Sequence, residues 1–242
     1  MLQTKNLVKI FYTGDVETPV LKGIDFKAET GEFLAIMGRS GAGKSTFLYQ
    51  MSLLDDPTSG EIIIDGHDTH TMSVHEKMLF RLNKFGYVFQ DYALLPELTA
   101  LENVALPLLM QGLSRKAAYA KAGKTLERMQ LGHRLNNLPS QLSGGEQQRV
   151  SISRAVAHDP KVLFADEPTA NLDNESSRRV METFKELHRH GQTIIMVTHE
   201  EEYAKLAKKI IRMDDGKILS TTDNTRGFQL VGDIIKGHTG RD

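Results

Sequence analysis

Residues 38–45 read Gly38-Arg39-Ser40-Gly41-Ala42-Gly43-Lys44-Ser45, a fit to G-x-x-x-x-G-K-[ST]. Glycines at this density allow positive φ and let bare backbone approach a bound group. The N–H groups of such a turn converge into an anion nest. Ahead of it, Glu32-Phe33-Leu34-Ala35-Ile36-Met37 is an apolar run suited to a strand of a buried parallel sheet. Behind it, Phe47 to Leu54 reads as a helix, stopped by Asp55-Asp56-Pro57. That helix adds the partial positive charge of its N-terminus. Strand, glycine loop and helix in this order commit the chain to an α/β fold and the loop to the phosphates of a nucleotide. Lys44 then supplies a mobile charge for the β- and γ-phosphates, Ser45 a hydroxyl for Mg²⁺, and Thr46 a hydroxyl near the α-phosphate.

Other strands end in polar residues. Lys161-Val162-Leu163-Phe164-Ala165 runs into Asp166-Glu167. Ligands of open α/β sheets lie beyond the carboxyl ends of strands. Asp166 is therefore placed to hold Mg²⁺ through its water shell, and Glu167 to polarise an attacking water. The run Gln192 to Val197 is another buried strand, continued by Thr198-His199, and Gln90 closes the strand Gly86-Tyr87-Val88-Phe89. Taken singly, His199 and Gln90 are uninformative.

Residues 142–149 read Leu-Ser-Gly-Gly-Glu-Gln-Gln-Arg. Ser143 to Glu146 is a capping box at a helix start, and the helix runs through Val150, Ile152 and Ala155-Val156 to end near His158-Asp159-Pro160. Two glycines in a first turn weaken a helix by about 1 kcal/mol each relative to Ala. The bare N–H groups they leave suit a phosphate.

From residue 2 to about residue 220, the chain resembles the ATP-hydrolysing subunits of ABC (ATP-binding cassette) systems. The resemblance rests on the phosphate loop, the Ser143 motif about a hundred residues later, and the ordered set between and after them. It implies a P-loop NTPase core with a mostly parallel sheet, an N-terminal antiparallel β-subdomain and an inserted helical subdomain. These form one domain over 1–220, with the insert at about 91–158 and a tail at 221–242. It identifies Gln90 with the glutamine that senses Mg²⁺ and the attacking water, His199 with a switch histidine at the γ-phosphate, and Pro168-Thr169-Ala170-Asn171-Leu172-Asp173 with the segment ending in the D-loop. Ser143, Gly144, Gly145 and Glu146 become the signature, which in this family closes over nucleotide held by the opposite subunit. The fifth signature position is Glu146 where many members carry Gln. One phosphate loop and one signature per chain imply that a second copy supplies the other cassette. An aromatic platform for adenine is implied at Phe11 or Tyr12. Spacing does not choose between them, and loose alignment favours Phe11.

The run Leu95-Pro96-Glu97-Leu98-Thr99-Ala100-Leu101-Glu102-Asn103-Val104-Ala105-Leu106-Pro107-Leu108 is similar to the ATPases of lipoprotein-release, macrolide-efflux and cell-division systems. Apolar residues from Tyr92 to Leu109 are read either as local core or as a groove for a helix of a permease-like membrane subunit. The resemblance thus implies ATP-driven work on a membrane partner of export or mechanotransmission type. An importer-type cassette and an ABC ATPase without a membrane partner are the alternatives.

Composition bounds the remainder. In 242 residues, 30 basic and 31 acidic side chains give a net charge of −1, against a broad nucleic-acid surface. With no cysteine, disulfides and thiolate metal sites are excluded. Met1 to Lys5 shows no signal-peptide pattern, and apolar runs fall far short of the roughly 20 residues of a membrane helix. The expectation is a cytoplasmic protein, peripheral on the inner face of the cell membrane. Asp65-Gly66 and Asp214-Asp215-Gly216 predict hairpin turns, and residues 1–35 with 60–66 predict a small antiparallel sheet.

Overall fold

The computed structural model describes residues 1–224. They form two compact units, one of residues 1–71 together with the chain from 193 onward, the other of residues 72–192.

The first unit opens with β1 (Leu2–Thr13) and β2 (Val16–Ala28), a long antiparallel pair interrupted by register shifts. Leu2, Leu7, Leu21 and Ile24 are buried along it. β3 (Phe33–Met37) is buried throughout and leads into the glycine loop and α1 (Lys44–Met51). β4 (Ser59–Ile64) pairs with β1, and β5 (His67–Asp68) folds back on β4 across Asp65-Gly66, giving the sheet order β2-β1-β4-β5. The antiparallel sheet thus ends at Ala28. Residues 33–35 belong to a different sheet, because an unbroken apolar strand needs cover on both faces.

The apolar pattern predicts helix to Leu54, yet α1 stops at Met51. Leu53 adopts φ 59 and Leu54 N–H reaches back to Tyr49 O at 2.9 Å. This is the six-to-one bond of a Schellman ending, completed without glycine.

The second unit carries α2 (Val74–Lys84), capped by Ser73, and β6 (Phe85–Val88). After a loop come α3 (Ala100–Met110), α4 (Arg115–Arg128) and α5 (Gly144–Val156), capped by Thr99, Ser114 and Ser143. β7 (Val162–Asp166) is parallel to β6, with Val88 opposite Ala165. Phe85 and Phe164 meet edge to face, ring centres 5.1 Å apart. α6 (Asn174–Arg189) closes the unit.

The chain then re-enters the first unit as β8 (Thr193–Val197), α7 (Glu201–Ala204), β9 (Lys209–Asp214) and β10 (Lys217–Asp223). β3 lies between β8 and β9 and is parallel to both, while β10 returns antiparallel to β9. The turn between them has Asp215 at φ 44 and Gly216 at φ 71, the double positive that a two-residue hairpin with native twist requires. β10 extends to Asp223, so the first three residues of the expected tail are strand. Residues 225–242 of that tail lie outside the described residues.

Candidate functional site

The sequence-predicted residues fall into two sets, one in each unit.

In the first unit, β3 ends at Met37 and the loop Gly38–Gly43 turns the chain into α1. Gly43 caps the helix at φ 92, and a Cβ there would stand 2.9 Å from Val20 O and 3.1 Å from a Leu21 methyl, so only glycine fits. Among the described residues, α2 to α6 start under a capping Ser, Thr or Asp, whereas α1 and the four-residue α7 start with no side-chain cap. A helix start left to its own backbone suits an anion. Lys44, 7% exposed, donates from Nζ to Gly38 O and Arg39 O, both at 3.0 Å, which holds the ammonium inside the arc of the loop. Gly41, Arg39 and Ser40 are exposed, Ala42 is buried, and Ser45 and Thr46 are half-buried in the first helical turn. Ile36 of β3 pairs with Val197 of β8. Gly38 and His199, each two residues further, therefore leave neighbouring strands at the same edge, and His199 is exposed there. Thr198 N–H donates to Ile36 O at 3.1 Å, fixing that exit.

The aromatic pair sits near the end of β1. Lys9 Nζ lies 5.0 Å from the centre of the Phe11 ring and is itself held by Asp55 and by Asp56 O, just past α1. Phe11 thus faces the side on which α1 ends, and Tyr12, 61% exposed, follows it in the strand with side-chain direction reversed. Adenine is expected to stack on Phe11. Phe11→Ala should weaken ATP binding by about 1–3 kcal/mol, roughly 5- to 150-fold, as for base stacking elsewhere. Calorimetric titration checks this, and a larger loss from Tyr12→Ala would reverse the assignment.

In the second unit the same edge geometry recurs. Val88 of β6 pairs with Ala165 of β7, so Gln90 and Glu167, each two residues on, leave at one edge. Asp166, 4% exposed, is the last residue of β7. Glu167 follows at φ 43, a left-handed conformation that turns the chain sharply and sets its carboxylate off the strand line. Gln90 is exposed, and the Asn171 amide donates to its backbone oxygen at 3.0 Å. Tyr92 and Ala93 both have positive φ, 63 and 48, and Arg154 of α5 donates to their carbonyls at 3.0 and 2.5 Å. Burial lowers the pKa of that guanidinium. The Gln148 amide donates to Pro168 O at 2.7 Å, so α5 braces the segment after the carboxylates as well.

The Ser143 turn holds both bonds of its capping box: Ser143 N–H to Glu146 Oε2 at 2.8 Å, and Glu146 N–H to Ser143 Oγ at 3.3 Å. Ser143 is exposed, Gly144 half-buried and Gly145 buried. A Cβ on Gly145 would stand 2.9 Å from Ser176 Oγ, so this glycine also answers to packing against α6. Arg134 Nε pairs with Glu146 Oε1 at 2.9 Å. Burial raises the Glu146 carboxyl pKa, but the Ser143 and Arg134 bonds outweigh it and hold the group below the usual carboxylate range. Asp173 caps α6, accepting from Ser176 N–H at 2.9 Å and Ser176 Oγ–H at 2.8 Å, which lowers its pKa.

Arg154 and Arg134 are the contributors that sequence reasoning missed, and Asn171, read there only as part of the D-loop segment, adds its bond to the Gln90 backbone. Each acts through a side-chain bond to a distant backbone or side chain, for which local pattern carries no signal. Among the described residues no group of three or more His, Cys, Asp or Glu side chains is assembled for a metal. Mg²⁺ fits the oxygen donors present, since it is commonly held by one or two carboxylates plus substrate phosphates.

The apolar run after Gln90 divides. Ala100, Val104, Ala105 and Leu108 are core, whereas Leu95 and Met110 are 43% and 62% exposed. Asn103, fully buried, ties down the preceding loop through bonds to Leu95, Leu98 and Thr99. α2 adds exposed Val74, Met78 and Leu79.

The chain is similar to known proteins. The family model described as ABC transporter matches residues 21–170. An uncharacterized ABC transporter ATP-binding protein of Methanocaldococcus jannaschii is 50% identical over 219 residues, 90% of this chain and 98% of that one. The lipoprotein-releasing system ATP-binding protein LolD of Aquifex aeolicus is 44% identical over 219 residues, 90% of this chain and 96% of its own. A dimeric ATP-binding cassette solved in a post-hydrolysis state with ADP and Pi superposes with TM-score 0.87 at 38% identity, covering 93% of this chain and 99% of that one.

Proposed function

The chain belongs to the ABC transporter family as an ATP-binding subunit, and on that premise we propose that it energises a membrane partner by ATP-driven pairing of two copies. As a member of that family it is an ATPase, converting ATP to ADP and phosphate. One phosphate loop and one signature in 242 residues are the observation that carries the two-copy reading. Each copy holds ATP on residues 38–46, and the exposed Ser143 turn of the other copy meets the γ-phosphate. The dimeric, ADP-and-Pi-bound relative supports this arrangement.

In this reading Lys44 binds the β- and γ-phosphates, Glu167 is the base that orients and deprotonates water, and His199 contacts the γ-phosphate. Ser45, Gln90 and Asp166 hold Mg²⁺, which when bound neutralises charge on the transferring phosphoryl group. Asp173 belongs to the D-loop and serves its own chain as a helix cap. Residues 1–220 act as one catalytic domain, with the helices of 91–158 as its signature-bearing insert.

The membrane partner is of export or mechanotransmission type, a reading supported by the likeness to a lipoprotein-releasing ATPase. Among the described residues no helix is long and apolar enough to cross a membrane. In this reading a membrane subunit does the crossing, and this chain sits on its cytoplasmic face. Its docking surface lies within Tyr92–Leu109, extended by Met110 and the exposed apolar residues of α2. Leu94 and Leu98 are half-buried, so a charge there disturbs packing; exposed Leu95 is the cleaner probe. Leu95→Glu should abolish copurification with the native membrane subunit while nucleotide affinity and thermal midpoint stay at wild-type values. Retained copurification would sink the docking surface, and copurification with a substrate-importing permease would favour an importer.

A further inference from the structure

The signature turn holds a negative charge where the proposed reading brings in another. Glu146 stands at the third position of α5, and its Oε2 accepts the Ser143 N–H at 2.8 Å. That bond keeps the carboxylate within one helical turn of the residues meeting the γ-phosphate. The side chain is 15% exposed, so solvent screens it poorly. A glutamine would complete the same capping box without a charge.

The second carboxylate oxygen is engaged by Arg134, whose Nε lies 2.9 Å from Oε1. Arg134 comes from the short turn Gly132–Arg134, twelve residues before Glu146. That segment is braced: Arg134 N–H bonds to Leu131 O at 2.9 Å, and Leu101 N–H and Ala100 N–H of α3 bond to Leu135 O and Asn137 O, both at 2.9 Å. The guanidinium is therefore delivered from a fixed backbone. Arg149, further along α5, also lies within electrostatic reach of Glu146, but Arg134 makes the direct ion pair.

We propose that Arg134 is a positioning residue that balances the charge of Glu146, so that a signature carrying glutamate receives the γ-phosphate of a second copy without repulsion. The inference rests on the two-copy reading above. Its effect is specific: Arg134 matters because residue 146 is ionised, and ceases to matter once that charge is gone.

The test uses the full chain carrying Glu167→Gln, titrated with MgATP and followed by light scattering. Adding Arg134→Gln should raise the ATP concentration for half-maximal dimerisation about tenfold, the scale of a partly screened unit charge at this range. Arg134→Lys, which keeps the charge, should recover most of that loss. In the Glu146→Gln background the same Arg134→Gln change should leave the midpoint where it was. An equal loss in both backgrounds would make Arg134 a plain structural brace and overturn the proposal. So would no loss with Glu146 present, or an Arg134→Lys variant as impaired as Arg134→Gln. If the Glu167→Gln parent does not dimerise with ATP at all, the two-copy reading fails, and the proposal with it. Thermal midpoints of all variants separate unfolding from these outcomes.

Discussion

Glu167→Gln should bring ATP turnover down by about 10²–10⁴-fold, the usual share of general-base catalysis. Glutamine keeps the size of the side chain and one hydrogen-bonding oxygen but cannot accept a proton. Glu167 sits one residue past β7 at φ 43, and glutamine adopts that conformation at no added cost, so the fold is unaffected. In the proposed reading Glu167 stands near the γ-phosphate, so removing its negative charge should not weaken ATP binding. Binding without turnover leaves the pair of copies closed, and the variant should accumulate as an ATP-bound dimer in size-exclusion chromatography. Ser143→Arg, placed in the same chain, should prevent that dimer by filling the space the phosphate enters. Turnover at the wild-type rate in Glu167→Gln, or full activity from a chain shown to be monomeric, would refute the mechanism.

Lys44→Ala has the opposite signature. Bonds to charged groups contribute about 1.5–3 kcal/mol each, so losing the ammonium should weaken nucleotide binding by roughly 10- to 150-fold. The turn itself survives, because Gly43 and its contacts with Val20 and Leu21 set the loop's path independently of Lys44. Equilibrium titration with a fluorescent ATP analogue reads the loss directly. Dimerisation should fall with it, since a copy without nucleotide offers nothing for the other's Ser143 turn. Unchanged affinity in Lys44→Ala would mean that the loop's backbone alone binds the phosphates.

The sequence carries local devices well. The glycine loop, the Ser143–Glu146 box and the Asp215-Gly216 turn depend on residues within a few positions of one another, and each stands in the structure as read. Apolar patterning finds β3, β7 and β8 but not their neighbours, because pairing is decided between segments far apart in the chain. It also overruns α1 by three residues, since Ser52, Leu53 and Leu54 look helical while Leu53 turns left-handed. α2 went unread because its burial is weak; none of its residues is fully buried. Arg154 and Arg134 are illegible for another reason. Arginines on helices and turns are usually solvated, and only the fold reveals which carbonyls and carboxylate they meet.

The placement of β3 fixes the order in which this protein becomes competent during synthesis. Both strands flanking β3, β8 and β9, lie after residue 192. The turn that touches the loop comes later still: Gly216 N–H bonds to Ala42 O at 3.2 Å and its oxygen accepts from Lys22 N–H at 2.9 Å. Once residues 72–192 have been made, every residue of that compact unit exists while β3 still lacks both strands that flank it. Folding as units from the N-terminus is thus reversed for the loop, which is made early and finished last. Products that stop before Thr193 therefore carry every motif up to Asp173 on a chain whose phosphate loop follows a strand still lacking both of its partners.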